Sequence, residues 1–530
     1  MVMERLVLEL RMRVKEYILN NMSIITNSNN KLIAKNTVFL YARMIIMMVV
    51  SLYTSRVVLA SLGAEDFGIY NIVAGVVVLF SFLNTAMVES IQRFLNYEMG
   101  RGDKEETKRV FSMGINCQVL IILMVLILGE TVGLWFLNTH LNIPEERMNI
   151  ANWIYQLSIL TICIKIFYTP YNAAIIAYEK MSIYAYISIL EAVLKLVIAY
   201  MLVISPCDKL LSYALLTCLL TVIITLLYII YCKANFDICI YSYFKDMTLF
   251  KRMMSFSGWS IMGGVANLAY TQGLNIIMNM FFTVVANASM GIANQVNSAI
   301  SSLVSNFSTA FKPQIIKYYA AENNEMFVIL IQRTSKICYF LLFIIALPVL
   351  LYCDNLLNVW LTEVPDYAVS FCKLIIICTL IDSINTPIWT AINATGKIKK
   401  YNIVTTVLRL LILPISIIGF YQGLKPEFAL MANIIINIII QSWNLYHLHN
   451  LVGYSLKDHL KVAVAPCLLV TILSLLVSFF IKTVFLECAF NLIIHICFTV
   501  TIVGIFIFVL GLNKSERSSF VLFFLSKIKS

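Results

Sequence analysis

Long apolar runs separated by short polar or charged breaks fill almost the whole chain. A membrane span needs about 20 mostly apolar residues. Runs of that kind lie near 36–58, 69–94, 108–130, 151–177, 183–204, 210–232, 256–281, 285–311, 334–353, 367–393, 402–420, 428–448, 460–481 and 488–511. The pattern predicts an all-α polytopic membrane protein of about fourteen transmembrane helices.

The polar punctuation is not random. IFYTPYNAAIIAYEKMSIYAY (166–186) returns 217 positions later as SINTPIWTAINATGKIKKYNI (383–403), with seven identities in 21 positions, among them Thr169/Thr386, Pro170/Pro387 and Lys180/Lys397. A weaker echo sets FGIYNIV (67–73) against MGIANQV (290–296). The first pair closes segments 4 and 10, and an offset of six segments preserves orientation. The expected architecture is therefore two pseudo-symmetric six-helix lobes, a parallel repeat about the membrane normal, plus two C-terminal helices. The predicted divisions are a cytoplasmic N-terminal arm 1–35, an N-lobe 36–232, a cytoplasmic linker 233–255, a C-lobe 256–448, an appendix 449–511 and a cytoplasmic tail 512–530.

Composition agrees with this pattern. Of 530 residues, 60% are hydrophobic and 13% charged, against roughly 25% charged in soluble domains. The net charge of +11 would suggest nucleic acid in a soluble protein, but 29 of the basic residues fall in alternate loops on one side and five on the other. Positive-inside bias accounts for that asymmetry, excludes a nucleic-acid surface and predicts both termini in the cytoplasm. The polar first 35 residues lack a signal-peptide core, and Met22 offers an alternative start. Thirteen cysteines without a CxxC, mostly in apolar runs, suggest neither disulfides nor a metal site. His447 and His449 do not share a helix face. No cofactor is expected.

Charges inside spans carry the candidate chemistry, because each costs about 2.5–3.5 kcal/mol at mid-bilayer on the insertion scale. They are Arg43, Lys165, Lys195, Lys373 and Arg409, with Glu89, Glu191 and Asp382. Lys373 lies close enough to its span end to snorkel. The repeat places Lys165 on Asp382 and Arg409 beside the counterpart of Glu191, so the sign is swapped between lobes. Two readings stand: ion pairs Lys165–Glu191 and Asp382–Arg409 stapling each hairpin, or lumen groups that bind substrate charge or carry a coupling ion. Glu191/Lys195 and Glu89/Arg93 are also i, i+4 pairs; Arg93 is expected to reach the headgroups. Segment 8 carries Asn294, Asn297, Ser298, Ser301, Ser305 and Ser308 near helical spacing, either a helix-packing stripe or a wetted lumen wall.

The stretch SRVVLASLGAEDFGIYNIVAGVVVLFSFLNTAMVESIQRFLNYEMGRGD (55–103) resembles the N-terminal signature of Wzx-type polysaccharide flippases of the MOP exporter superfamily, with its LG-x-x-x-F/Y-G turn and an Arg before a Gly-rich basic loop. Twinned six-helix lobes extend the resemblance over nearly the whole chain. It implies a flippase in the bacterial inner membrane that moves undecaprenyl-pyrophosphate-linked oligosaccharide by alternating access, for O-antigen, capsule or a related surface polysaccharide. Its implied partners are that substrate, membrane lipids and other polysaccharide assembly proteins. Arg43 and Arg56 would meet the pyrophosphate in a cationic lumen, with Lys165, Lys195 and Arg409 as further cations and Glu89, Glu191 and Asp382 as candidates for ion coupling or gating. The rival is a multidrug or organic-cation antiporter of the same superfamily, which would favour an acid on segment 1. A membrane glycan polymerase or ligase would need a larger outer loop than 131–150, whose charges toward its far end are Glu145, Glu146 and Arg147.

Overall fold

The computed structural model describes residues 81–140, 144–204, 208–243, 246–282, 284–361, 364–484, 492–514 and 516–518, most of 32–62, and isolated positions up to 73. Arg56 lies outside the described residues.

The first span is helical over 35–51 (α1). Then follow α2 (Ser81–Arg101), α3 (Lys104–Leu128) leading through a π turn at Gly129–Gly133 into α4 (Leu134–His140), α5 (Glu145–Ala177), α6 (Met181–Ile204) and α7 (Lys209–Asn235). The second half runs α8 (Met247–Phe281), α9 (Val284–Ala320), α10 (Asn324–Leu351), α11 (Cys353–Trp360), α12 (Ala368–Thr395), α13 (Lys399–Leu410), α14 (Ile412–Tyr421) and α15 (Glu427–Val452). After these come α16 (Leu456–His459), α17 (Ala465–Val484) and α18 (Leu492–Phe506).

The two halves repeat one packing scheme. In the first, α5 packs on α2, α3 and α7, and α6 on α7; in the second, α12 packs on α9, α10 and α15, and α13 and α14 on α15. Two pseudo-symmetric six-helix lobes with a two-helix extension result. Ten helical stretches among the described residues are long and apolar enough to cross a membrane. The long helices α2, α8 and α9 fall outside that set. They are the ones that carry stripes of small and polar residues, and they form the seam: α2 packs on both α8 and α9.

The Thr-Pro motif shapes one helix in each lobe. Pro170 and Pro387 sit inside α5 and α12, where a proline removes one i to i−4 hydrogen bond and bends the helix. The preceding threonine turns back on its own helix: Thr169 Oγ1 donates to the Lys165 carbonyl at 3.1 Å and Thr386 Oγ1 lies 3.4 Å from the Asp382 carbonyl. Each helix then ends in a left-handed residue, Glu179 (φ 58°) one residue beyond the α5 cap and Gly396 (φ 74°) at the end of α12.

Loops away from the seam are tied by ions. Arg147 bridges Asp208 at 2.5 Å and Asp66 at 3.3 Å. Partial burial pushes the Asp208 carboxyl up, but the N–H groups of Leu211 and Leu210, which it caps, together with the Arg147 guanidinium hold it below the usual range. The C-terminal helices clasp α10: Tyr339 and Thr471 hydroxyls lie 2.6 Å apart, and Lys336, 1% exposed, meets Glu516 at 2.6 Å.

Candidate functional site

The lobes are joined at one end, the end that carries most of the basic loops. There Gly100 of α2 crosses α9 so closely that a Cβ would stand 2.6 Å from the Lys317 carbonyl. Two reciprocal contacts lock this crossing. Arg93 of α2 is buried and donates from Nε to the Asn393 carbonyl at 3.3 Å and from Nη2 to the Ala394 carbonyl at 3.0 Å, satisfying the open C-terminal end of α12. From the other lobe, Gln314 Nε2 and Lys317 Nζ of α9 each donate to Glu179 at 2.6 Å, beside the end of α5. The second helix of each lobe thus grips the end of the Thr-Pro helix of the other. The sequence treated Glu89 and Arg93 as a pair with the arginine at the headgroups; instead Arg93 turns inward and Glu89 faces a cavity. A guanidinium that can satisfy two helix-terminal carbonyls gains more there than beside one half-buried carboxylate.

Beyond this seal lies a cavity of about 650 Å³ between α2, α5, α6, α9 and α12. Its wall holds eight Ser/Thr hydroxyls (Ser301, Ser305, Ser308, Thr309, Thr379, Ser383, Thr386, Thr390) and four amides (Gln92, Asn96, Asn172, Asn297), with the Tyr184 and Trp389 rings. Its charges are Glu89, Asp382 and Lys312. A second cavity of about 510 Å³, between α2, α8, α12 and α13, shares Glu89, Asp382, Thr386 and Trp389 with it and adds Arg409. A third, about 270 Å³ inside the second lobe, contains Asn294, Asn297, Thr379, Asp382 and Arg409. Asp382 therefore borders all three spaces and Glu89 two. Glu89 lies twelve residues before the end of α2 and Asp382 thirteen before the end of α12, both about 18–20 Å from the sealed end.

Neither hairpin-stapling ion pair forms among the described residues. Glu191 takes Lys195 of its own helix at 2.6 Å, leaving Lys165 without a carboxylate in ion-pair range. Arg409 donates to Asn267 Oδ1 at 2.8 Å, across to α8, while Asp382 stays at the cavity walls. An i, i+4 pair is prepaid by its helix, whereas a cross-hairpin pair must fix two long side chains at once.

The polar stripe of α9 divides. Asn297, Ser301, Ser305 and Ser308 line the central cavity, with Asn297 Oδ1 accepting from Thr379 at 2.5 Å, and Asn294 lines the smaller pocket. Ser298 lines none of these spaces, nor do Lys165 and Lys195. Arg43 stands one ring removed, its guanidinium 4.4 Å from the Tyr184 ring centroid and its Nε buried without an acceptor. The lumen walls are thus mixed in sign, not purely cationic as the resemblance implies. Glu179, Lys312 and Trp389 escaped sequence reading; the alignment of Glu179 with Gly396 in the repeated phrase was the available signal.

Fold and cavity together define a two-lobed helical membrane protein with a polar chamber between its halves. Residues 265–418 match the MatE family model, and the fold is that of MATE transporters of the MOP superfamily. One similar structure is an outward-facing multidrug resistance MATE family transporter of that superfamily: TM-score 0.69, 12% identity, 80% of this chain and 96% of that one. Another is a MATE protein in the straight conformation, with TM-score 0.68, 12% identity and coverage of 80% and 97%. A MOP superfamily transporter from Pyrococcus furiosus, described as having a binding pocket of reverse polarity that suggests a different function, gives TM-score 0.66, 13% identity and coverage of 79% and 96%. None of the curated proteins matches the chain significantly. The fold expected from the sequence is thereby found.

Proposed function

We propose that this chain is an alternating-access exporter of the bacterial inner membrane that flips undecaprenyl-pyrophosphate-linked oligosaccharide from the basic-loop side, the cytoplasmic one, to the other leaflet. The observation that carries this reading is the central wall of eight hydroxyls and four amides. Pockets for drug-sized ligands are mostly apolar; a wall of alternating donors and acceptors matches the hydroxyls of a glycan, and Tyr184 and Trp389 offer flat faces for sugar rings. Arg43 stands behind the Tyr184 ring of the chamber wall with its Nε unmet, and its guanidinium is the planar fork this reading offers to the pyrophosphate.

A second reading, export of organic cations, is favoured by the two cavity acids Glu89 and Asp382 and by similar structures named for multidrug resistance. One pair of assays separates them. In a strain lacking its own flippase, the chain should restore surface glycan, Arg43→Ala should abolish that, and Arg43→Lys should restore it partly, since an ammonium keeps the charge but loses the fork. Ethidium efflux that depends on Glu89 and Asp382, without glycan export, would establish the second reading and end the first.

A further inference from the structure

At the sealed end a separate pocket of about 640 Å³ opens between α2, the start of α8 and the turn from α12 into α13. Arg93, Lys251, Arg252, Lys397 and Lys399 line it, and no carboxylate does. Positive-inside bias predicts basic residues at this end but not their convergence. Nor does it predict that they go unpaired: neighbouring cations at the same end take acids, as in Arg101–Glu98, Arg109–Glu106, Lys317–Glu179 and Lys336–Glu516. Among the described residues none of the five has an ion-pair partner; of the α2 acids flanking Arg93, Glu98 faces Arg101 and Glu89 faces the central cavity. Arg93 is buried at the back of the pocket, whereas the other four are exposed at its rim.

Two further features suit an anion. The start of α13 has no side-chain cap, so its first N–H groups and the positive helix end are open where Lys397 and Lys399 stand. Trp259 forms an aromatic floor, 5.1 Å from Lys399 Nζ, an arrangement suited to the boundary between headgroups and acyl chains. Arg93 adds a consequence: an anion seated here competes with the α12 carbonyls for the guanidinium that locks the lobes.

We propose that this pocket is the docking site for the diphosphate of the lipid-linked substrate before it enters the central chamber. The inference rests on the flippase reading for its ligand but concerns a different place. The shared chemistry is a phosphate ester at the membrane surface, and the test distinguishes a polyprenyl diphosphate from bulk anionic phospholipid and from the free anion.

Purified full-length protein in phosphatidylcholine nanodiscs should bind farnesyl diphosphate. The combined variant Lys251→Gln, Arg252→Gln, Lys397→Gln and Lys399→Gln should weaken binding by about tenfold or more, as expected for losing several charge-assisted contacts. A control that removes four charges elsewhere at the same end, Lys104→Gln, Lys108→Gln, Lys457→Gln and Lys461→Gln, should leave it nearly unchanged. Equal binding by wild type and the pocket variant overturns the proposal. So does loss of binding in phosphatidylglycerol discs, which would make the pocket a general phospholipid site, or equal binding of inorganic pyrophosphate, which would make the lipid irrelevant. Proteoliposome translocation separates the two claims. If wild type flips lipid-linked oligosaccharide and the pocket variant flips it equally well, the pocket fails and the flippase reading stands; if wild type binds but does not flip, the flippase reading fails.

Discussion

Glu179 and Gly396 fall on the same position of the repeated phrase, 217 residues apart, and both have left-handed backbones, φ 58° and 74°. Glycine adopts that conformation without steric cost; a residue with a Cβ gives up about 1–2 kcal/mol. Glu179 offsets the strain through its carboxylate, which accepts from Gln314 and Lys317. At Gly396 a Cβ would add a second penalty, standing 2.7 Å from Arg93 Nη2. Equivalent substitutions should therefore behave unequally. Glu179→Ala keeps the strain and loses both contacts, whereas Glu179→Gly loses the contacts but relieves the strain, so Glu179→Gly should be the more stable by about 1 kcal/mol. Gly396→Ala should be destabilising by at least about 1–2 kcal/mol. Thermal unfolding in detergent orders the three, and Glu179→Ala outlasting Glu179→Gly would show that its backbone is not strained.

At the scale of elements, the sequence exposed what local chemistry determines. The Thr-Pro helices, the two lobes and the polar stripe of α9 were legible because proline, glycine and small polar residues are conspicuous against an apolar background. The choice between packing stripe and lumen wall was not, since Ser298 and Ser301 differ only in which way the helix turns. Nor could the sequence rank charge partners: Glu191 had two lysines in reach, and the nearer along its own helix won. Equally hidden from sequence is the contact between Lys336 on α10 and Glu516 after α18, 180 residues apart. Read from sequence, Lys336 is one more basic loop residue; in the fold it is 1% exposed and Glu516 10%. A buried pair broken on one side leaves an uncompensated charge and costs about 3–5 kcal/mol. Glu516→Gln should accordingly release the C-terminal helices from α10, read as protease cleavage near 452–456 that wild type resists. Lys336→Met with Glu516→Leu should recover much of the loss, because the buried ammonium goes with its partner and the cation left behind, Arg333, 3.9 Å from Glu516 in the wild type, is 28% exposed and can reach water. Failure of both variants to differ from wild type would mean the extension is held by its apolar contacts alone.

The described residues enclose a central chamber closed at one end, and the closure is written twice. Arg93 reaches from the first lobe to the end of α12, and Lys317 with Gln314 from the second lobe to the turn after α5. With sequence offsets of 217 for the Thr-Pro helices and 223 for their gripping helices, Gly396 is the image of Glu179 and Arg93 that of a residue adjoining Lys317. The pseudo-symmetry hence joins like places, although one latch uses carbonyls and the other a carboxylate. Hydrogen bonds to charged groups contribute about 1.5–3 kcal/mol each, and a shift of about 5.5 kcal/mol carries a two-state equilibrium from 1:99 to 99:1. One latch lost should therefore populate an alternative state partially; both lost should come close to inverting the balance. The two latches share no side chain, so their effects should add approximately. Spin labels on cysteines at Glu105 and Lys400, exposed positions on opposite lobes at the sealed end, report the separation directly. In a cysteine-free background, wild type should give one short distance, Arg93→Gln and Lys317→Gln a minor longer component each, and the double variant a predominantly long one. Retention of the wild-type distribution by the double variant would mean that the apolar crossing at Gly100 seals the lobes unaided, and that the latches set its register without holding it shut.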